Sequence, residues 1–411
     1  MISYKKDILD NGLTLIVMKD KSTPLVSVNT LFGVGSRDES PSLTGIAHLF
    51  EHLMFGGTKA VPDYDRVVTM MGGESNANTC LDFTQYYLTV PAGCLEQALQ
   101  LEADRMHGLD LSQRSLQVQQ SVVTEEYNYR FINQPYGDAW LLLRPLCYKV
   151  HPYRWCTIGA DIRHVQEATL DDVQAFFERH YCPDNAIVAV VGNVLYEEVR
   201  RLADKLFGDL HFTGRKRSEL PQEPEQKEGR SLTVHRDVPS TAIYMAYHMC
   251  GRLDDSFRCA DLISDILSNG RSTRLYNELV KNRGLFTEIE AYVTGDRDPG
   301  LFLVSGRLRE GVNPDEAKAA VEEELYRVAK EPLGDGELEK VLNKFESTFA
   351  FSQYKAIDCA MSLCHYEWLG KLEWVNNEPQ YYRRTTEEEV RRAAAELFRP
   401  ENLSELRICR K

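Results

Sequence analysis

The feature that most constrains the fold of this chain is that it carries one pattern twice. Thr169-x-x-Asp172-Val173, followed by Pro183 and Asn185, returns as Thr386-x-x-Glu389-Val390, followed by Pro400 and Asn402, with every position displaced by 217 residues. Near the start of each copy, Leu13-Thr14 returns as Leu232-Thr233, displaced by 219. A pattern repeated at such spacing reads as one unit built twice, so two lobes of similar length are expected. Between them, the stretch from Thr213 to Ser231 has almost no apolar residue and reads as a solvated linker. The expected division is therefore residues 1–212, a linker at 213–231, and residues 232–411.

Within the first copy, Leu13–Met18, Leu25–Phe32 and Phe83–Val90 read as strands, and helices are expected from Tyr64 to Met71, Leu95 to Met106 and Ser112 to about Arg130. In the second copy, Asn313-Pro314-Asp315-Glu316 is a strong helix start, and amphipathic helices are expected at 337–349 and 387–398.

Hydrophobic residues make up 43% of the 411 and are broken up by charges. No run approaches the ~18 apolar residues that a membrane span requires. The charged start, Met1 to Asp7, lacks the apolar stretch of a secretory signal, which gives a cytoplasmic expectation. A formal charge of −14 argues against a nucleic-acid partner and fits weakly with cationic peptides. Ten cysteines without a CxxC pair, Cys359 and Cys364 being the nearest two, read as buried thiols rather than disulfides.

Chemistry concentrates in Thr44-Gly45-Ile46-Ala47-His48-Leu49-Phe50-Glu51-His52-Leu53, where apolar residues recur at helical spacing and polar ones gather on one face. Residues three and four apart on a helix are neighbours, so His48 and His52 can bind one metal ion while Glu51 points at the same spot. Thr44 is the expected cap and Gly56 the expected end of this helix. The order His-x-x-Glu-His inverts the commoner His-Glu-x-x-His, and its logic is the same: two imidazoles hold zinc and a carboxylate handles the proton of a water. A third ligand is needed, and the long helix offers the adjacent pair Glu125-Glu126, of which only one can face the metal.

Together with Asn11-Gly12-Leu13-Thr14, Gly33-Val34-Gly35-Ser36-Arg37-Asp38-Glu39, Gly72-Gly73, Asn76-Ala77-Asn78-Thr79, Val122-Val123-Thr124-Glu125-Glu126 and His151-Pro152-Tyr153, these residues resemble the pitrilysin/insulinase family of zinc peptidases, which includes the mitochondrial processing peptidase. The resemblance implies an α+β fold of two homologous lobes, each a mixed, mostly antiparallel sheet covered by helices, the pair forming half of a clam-like chamber. It implies one zinc per chain held by His48, His52 and Glu126, with Glu51 as general base. Seventy-three residues separate His52 from Glu126, close to the family's gap. Gln119 stands where the family usually has a further acid, and Gln119 and Glu125 are expected to support the ligands from behind. By the same resemblance Asn76, Ala77 and Asn78, otherwise plain turn residues, precede an edge strand at Phe83–Val90 along which an extended peptide would lie.

The second copy lacks the metal motif: on its register His48 falls near Asp265 to Gly270, which contain no histidine. It also lacks an Arg and a Tyr that active members of the family use to bind substrate. Aligned on Gly284-Leu285, those positions hold Val280 and Thr287, with Lys281 and Arg283 as possible substitutes. The resemblance therefore implies a zinc-bearing endopeptidase subunit acting on short or unfolded peptides, partnered by a zinc-less paralogue that brings the missing pair, or otherwise a homodimer. A catalytically silent scaffold or peptide-binding subunit is the alternative. Retention of His48, Glu51, His52 and the glutamate pair favours the first.

Overall fold

The computed structural model describes residues 1–214 and 219–411. The chain folds as two compact units, each around one sheet. The first unit comprises Met1–Tyr127, Trp155–Leu220 and Phe349–Glu378. Its strands are β1 (Lys5–Ile8), β2 (Thr14–Lys19), β3 (Leu25–Phe32), β4 (Glu74–Thr79), β5 (Thr84–Pro91) and β6 (Ala186–Gly192), in the order β1-β2-β6-β3-β5-β4. Only β2 and β6 run parallel; the other neighbours are antiparallel. Its first four helices are α1 (Ile46–Leu53), α2 (Tyr64–Met70), α3 (Leu95–His107) and α4 (Gln113–Tyr127).

The second unit comprises Asn128–Arg154, Pro221–Thr348 and Pro379–Lys411. Its strands β7 (Arg230–Arg236), β8 (Ala242–His248), β9 (Phe286–Val293), β10 (Leu301–Leu308) and β11 (Leu403–Arg410) lie in the order β7-β11-β8-β10-β9. Strand for strand this is β2-β6-β3-β5-β4 again, and β7 and β11 form the one parallel pair.

The repeated residues do the same work in both units. Thr169 and Asp172 close a reciprocal capping box on helix Leu170–His180, and Thr386 and Glu389 do so on helix Glu387–Leu397. Asn185 Nδ2 donates to the last helical carbonyl, His180 O, at 2.8 Å, and Asn402 Nδ2 to Leu397 O at 2.9 Å. Each asparagine thereby stops a helix and starts the strand that follows, β6 or β11.

The division departs from the expected one in two places, because each sheet is covered by a helix from the other half of the sequence. Ile16, Leu31, Ala189 and Val191 on one face of the first sheet bury against Ala360, Leu363 and Cys364 of helix Ala356–Trp368. Cys364 is a fully buried thiol, as expected, and Cys359 is buried beside it. In the second unit, Arg230 and His248 hold the Cys147 carbonyl at the end of helix Ala139–Cys147, and Tyr136 donates to Ser240 O at 2.7 Å. The expected linker also needs correction. Residues 215–218 of it lie outside the described residues, but Glu223 accepts the amide protons of Lys149, Val150 and His151 at 2.7–2.9 Å. Gln226 is buried and donates to Glu401 O and Leu403 O. Polar side chains dock this stretch, and composition alone made it look solvated. Among the described residues no helix is long and apolar enough to cross a membrane.

Burying an aliphatic side chain such as Leu363 is worth about 1.5–3 kcal/mol. A fragment of residues 1–212 would expose the face that Leu363 and Cys364 cover. It should therefore fail to fold as a monomer. Sedimentation and dye-binding measurements check this, and a soluble monomer with cooperative unfolding would refute the assignment of 349–378 to the first unit.

Candidate metal centre

Two faces define α1. Ile46, Ala47, Leu49, Phe50 and Leu53 are buried, with the Phe50 ring 4.3 Å from that of Tyr181 and 5.8 Å from that of Phe177. His48, Glu51 and His52 occupy the other face and are half-buried. The start of the helix differs from the expected Thr44 cap. Gly45 holds the N-cap position at φ 86°, and a Cβ there would come within 2.7 Å of the Ile158 carbonyl oxygen. Glu39 takes over the capping role, its buried carboxylate accepting from the N–H groups of Gly45 and Ala47 at 2.9 Å each. Burial pushes the Glu39 carboxyl well above its ordinary pKa, against the pull of those two amides. Thr44 is engaged elsewhere, 2.8 Å from His164 Nδ1 and accepting from the Ala160 amide. The helix ends at Leu53, with the Met54 N–H reaching the Phe50 carbonyl, before Gly56 is reached.

The third candidate ligand comes from α4. Leu116, Gln120 and Val123 bury one stripe of that helix, and Gln120 Nε2 anchors it to the carbonyls of Val165 and Ala168 at 2.8 and 2.9 Å. Glu126, three residues beyond Val123, continues the stripe, while Glu125 turns to solvent. Glu126 Oε2 lies 3.6 Å from His48 Nε2 and 3.4 Å from His52 Nε2. One ligand atom from each of the three residues falls within 4.8 Å of the others. Those separations are long for direct hydrogen bonds. They match the ~3.3 Å expected between ligands about 2.0–2.1 Å from a tetrahedral zinc, so the donor set fits that ion. It is the only trio of potential metal ligands among the described residues. The expected support from Gln119 and Glu125 is not seen: neither hydrogen-bonds the trio among the described residues.

Glu51 is held by a residue that the motif did not single out. Thr79 Oγ1 donates to Glu51 Oε2 at 2.6 Å. Burial raises the Glu51 pKa, partly offset by the Thr79 hydrogen bond and by His52.

Thr79 is the last residue of β4, and it is β4, not Phe83–Val90, that forms the sheet edge on this side, β1 being the other. β5 lies inside it, paired to β3 on one side and β4 on the other. Asn76, Ala77 and Asn78 are therefore strand residues on an open edge, not turn residues ahead of one. The Cys80 N–H bonds Phe83 O at 3.0 Å across the hairpin, so by alternation Ser75, Ala77 and Thr79 direct their backbone groups to the open side. Side chains alternate too. Thr79 and Ala77 stand on the α1 face, whereas Asn76 and Asn78 stand on the opposite face, where Asn78 accepts from Gln85 Nε2 at 2.8 Å.

Residues 15–133 match the family described as insulinase, peptidase family M16, and residues 167–345 match the peptidase M16 inactive domain. Zinc protease PqqE of Helicobacter pylori is 31% identical over 366 residues, covering 86% of this chain and 80% of that protein. The chain belongs to the M16 peptidase family. An uncharacterized zinc protease of Mycobacterium tuberculosis is 30% identical over 311 residues, 74% of this chain and 70% of its own. The crystal structure of a Helicobacter pylori protease matches with a TM-score of 0.93 at 27% identity, over 99% of this chain and 100% of that one. Pitrilysin shares the fold at a TM-score of 0.80 and 18% identity, over 99% of this chain and 45% of its own.

The M16 region described as inactive falls largely in the second unit, where residues 276–282 form a π-helix. Val280 there is buried, and Arg283 is paired with Glu323 at 2.9 Å. Thr287 donates to Arg307 O at 3.1 Å.

The zinc protease names of the relatives and the donor set together point to zinc as the ion. Protein prepared with excess zinc and dialysed should retain about one ion per chain. His52→Ala should retain almost none, because two protein ligands rarely hold zinc firmly. Metal analysis after dialysis checks both.

Proposed function

We propose that this chain is a zinc-dependent endopeptidase subunit that hydrolyses extended peptides together with a zinc-less paralogue. The observation that carries the reading is the junction at Thr79, where the open edge of β4 ends against Glu51 beside the His48, His52 and Glu126 trio. A peptide added to that edge would pair with the backbone of Ser75, Ala77 and Thr79. Its alternate side chains would pass Asn76 and Asn78 on the far face. Only an extended chain can offer its backbone in this way, which favours short or unfolded substrates.

A zinc ion held by His48, His52 and Glu126 would supply Lewis-acid polarisation of the scissile carbonyl and a more acidic water. Glu51 takes a proton from the attacking water as the new C–O bond forms. It then delivers that proton to the nitrogen as the C–N bond breaks, leaving a carboxyl and an amine terminus. Neither Val280, buried, nor Thr287, bonded to Arg307 O, can bind substrate in the manner of an Arg and Tyr pair. Arg283 is engaged by Glu323. A paralogous partner that brings such a pair and closes a chamber over β4 completes the reading. The competing view, a silent scaffold subunit, leaves unexplained why four residues from two helices keep a zinc-compatible geometry.

Glu51→Gln should keep its zinc while losing about 10²- to 10⁴-fold in turnover of a reduced, unfolded polypeptide. Turnover equal to the parent's would remove Glu51 from its role. The chain alone should cleave that polypeptide slowly, and adding the zinc-less paralogue should raise the rate sharply. Full activity of the pure chain, unchanged by Arg283→Ala and Lys281→Ala, would sink the two-chain reading.

A further inference from the structure

The hydroxyl of Thr79 donates to one carboxylate oxygen of Glu51, Oε2, at 2.6 Å. The backbone groups of Thr79 are on the open side of β4, since the alternation set by Cys80 and Phe83 points them away from β5. Thr79 is itself fixed from behind. The Thr84 hydroxyl, turned to the Val34 carbonyl at 2.9 Å, lies 3.4 Å from Thr79 Oγ1, and Thr84 is buried at the register position opposite Thr79. Thr79 has a single hydroxyl proton, and the 2.6 Å contact commits it to Glu51.

A carboxylate that is to receive a proton needs one oxygen held and the other open, and a small misplacement of a reacting group is costly. Among the described residues the hydrogen bond to the Glu51 carboxylate comes from Thr79, not from a residue of α1. We infer that Thr79 is the positioning residue for Glu51. It ties the acid to the last residue of the strand on which the peptide docks, so that a peptide paired to β4 and the base that attacks it share one rigid reference. This rests on the reading of Glu51 as the general base.

The test uses the zinc-loaded protein, with the paralogous subunit where that is needed for turnover, and a reduced, unfolded polypeptide as probe. Thr79→Val keeps the shape and removes the donor. It should retain its zinc and a KM close to the parent's while kcat falls roughly 10- to 100-fold. Thr79→Ser, which restores the hydroxyl, should recover most of the rate. In a Glu51→Gln background, Thr79→Val should cost nothing further, because a group that acts through Glu51 has nothing left to act on. Parent-like kcat in Thr79→Val, a change confined to KM, loss of zinc, or an additive loss in the double variant would each overturn the inference. A crystal structure of Thr79→Val tests the positioning role independently of turnover: the Glu51 carboxylate should leave the end of β4, and a carboxylate found in its original place refutes that role. If Glu51→Gln proves fully active, the base assignment fails instead, and the crystal structure still decides whether Thr79 orients that side chain.

Discussion

Everything at the candidate centre depends on the rotation of α1 about its own axis. Successive helical residues diverge by about 100°, so a slip of one position would carry Leu49 and Leu53 to the places of His48 and His52, and His48 to the buried place of Ala47. The anchors against such a slip are apolar on one side and polar at one end. Phe50 is packed among Phe176, Phe177 and Tyr181, and the Glu39 carboxylate clamps the first amides. The clamp also puts a carboxylate at the positive end of the helix dipole, a favourable arrangement at buried sites. The metal-facing side of α1 is thus specified by what the opposite side buries. Glu126 meets it because α4 is oriented by Leu116, Gln120 and Val123 in the same manner.

Behind this centre lies a second polar device with a different purpose. Glu102 and Arg105 sit one turn apart on α3 and are both buried, the guanidinium donating to Glu102 Oε2 at 2.6 Å. Thr30 of β3 donates to the same oxygen at 2.6 Å, and Tyr64 of α2 donates to Oε1 at 3.2 Å. Arg105 Nε and Nη1 have no hydrogen-bond acceptor, and the guanidinium carbon lies 4.5 Å from the centre of the Tyr86 ring and 5.0 Å from that of Tyr64. A buried ion pair often gains little stability over apolar side chains of the same volume. What this one does is join α2, α3, β3 and β5 through directional contacts.

Legibility in the sequence followed the range of the interaction that mattered. The doubled pattern was visible because capping boxes and the Asn185 and Asn402 stops act within a few residues, and the two units it announced each hold a sheet of matching strand order, as the family resemblance implied. The cluster of His48, His52 and a glutamate was legible down to the choice between Glu125 and Glu126, which helix periodicity could pose but not resolve. Glu39 lay hidden, because it caps a helix across an irregular loop and no local signature marks such a residue. The edge strand was misplaced for another reason: Glu74-Ser75-Asn76-Ala77-Asn78-Thr79 has the composition of a turn. Its strand conformation comes from pairing with β5, a tertiary cause. The helices at 139–147 and 356–368 were not read from the sequence, and the expected boundaries put them with the other lobe, because an apolar helix face does not say which sheet it meets.

That polar composition is itself informative about what an open edge must do. Unpaired strand edges invite association with other chains, and proteins usually block them with proline, bulges or inward charges. β4 has none of these: its six residues pair regularly with β5, and its protection is shortness, exposed Glu74, Asn76 and Asn78, and an Asn76 side chain that accepts the Ala77 N–H at 2.8 Å. An asparagine can release that proton to an incoming carbonyl, whereas a proline or a bulge would close the edge permanently. The geometry also limits how a peptide can sit there. Only Ser75, Ala77 and Thr79 turn their backbone groups outward, so a peptide paired there would have to exchange its two side-chain faces to shift by one residue. On the proposed reading, a peptide that keeps its side chains on the same faces would move along β4 in steps of two, and with Glu51 tied to the end of the strand the bonds brought within its reach would be spaced by the same step.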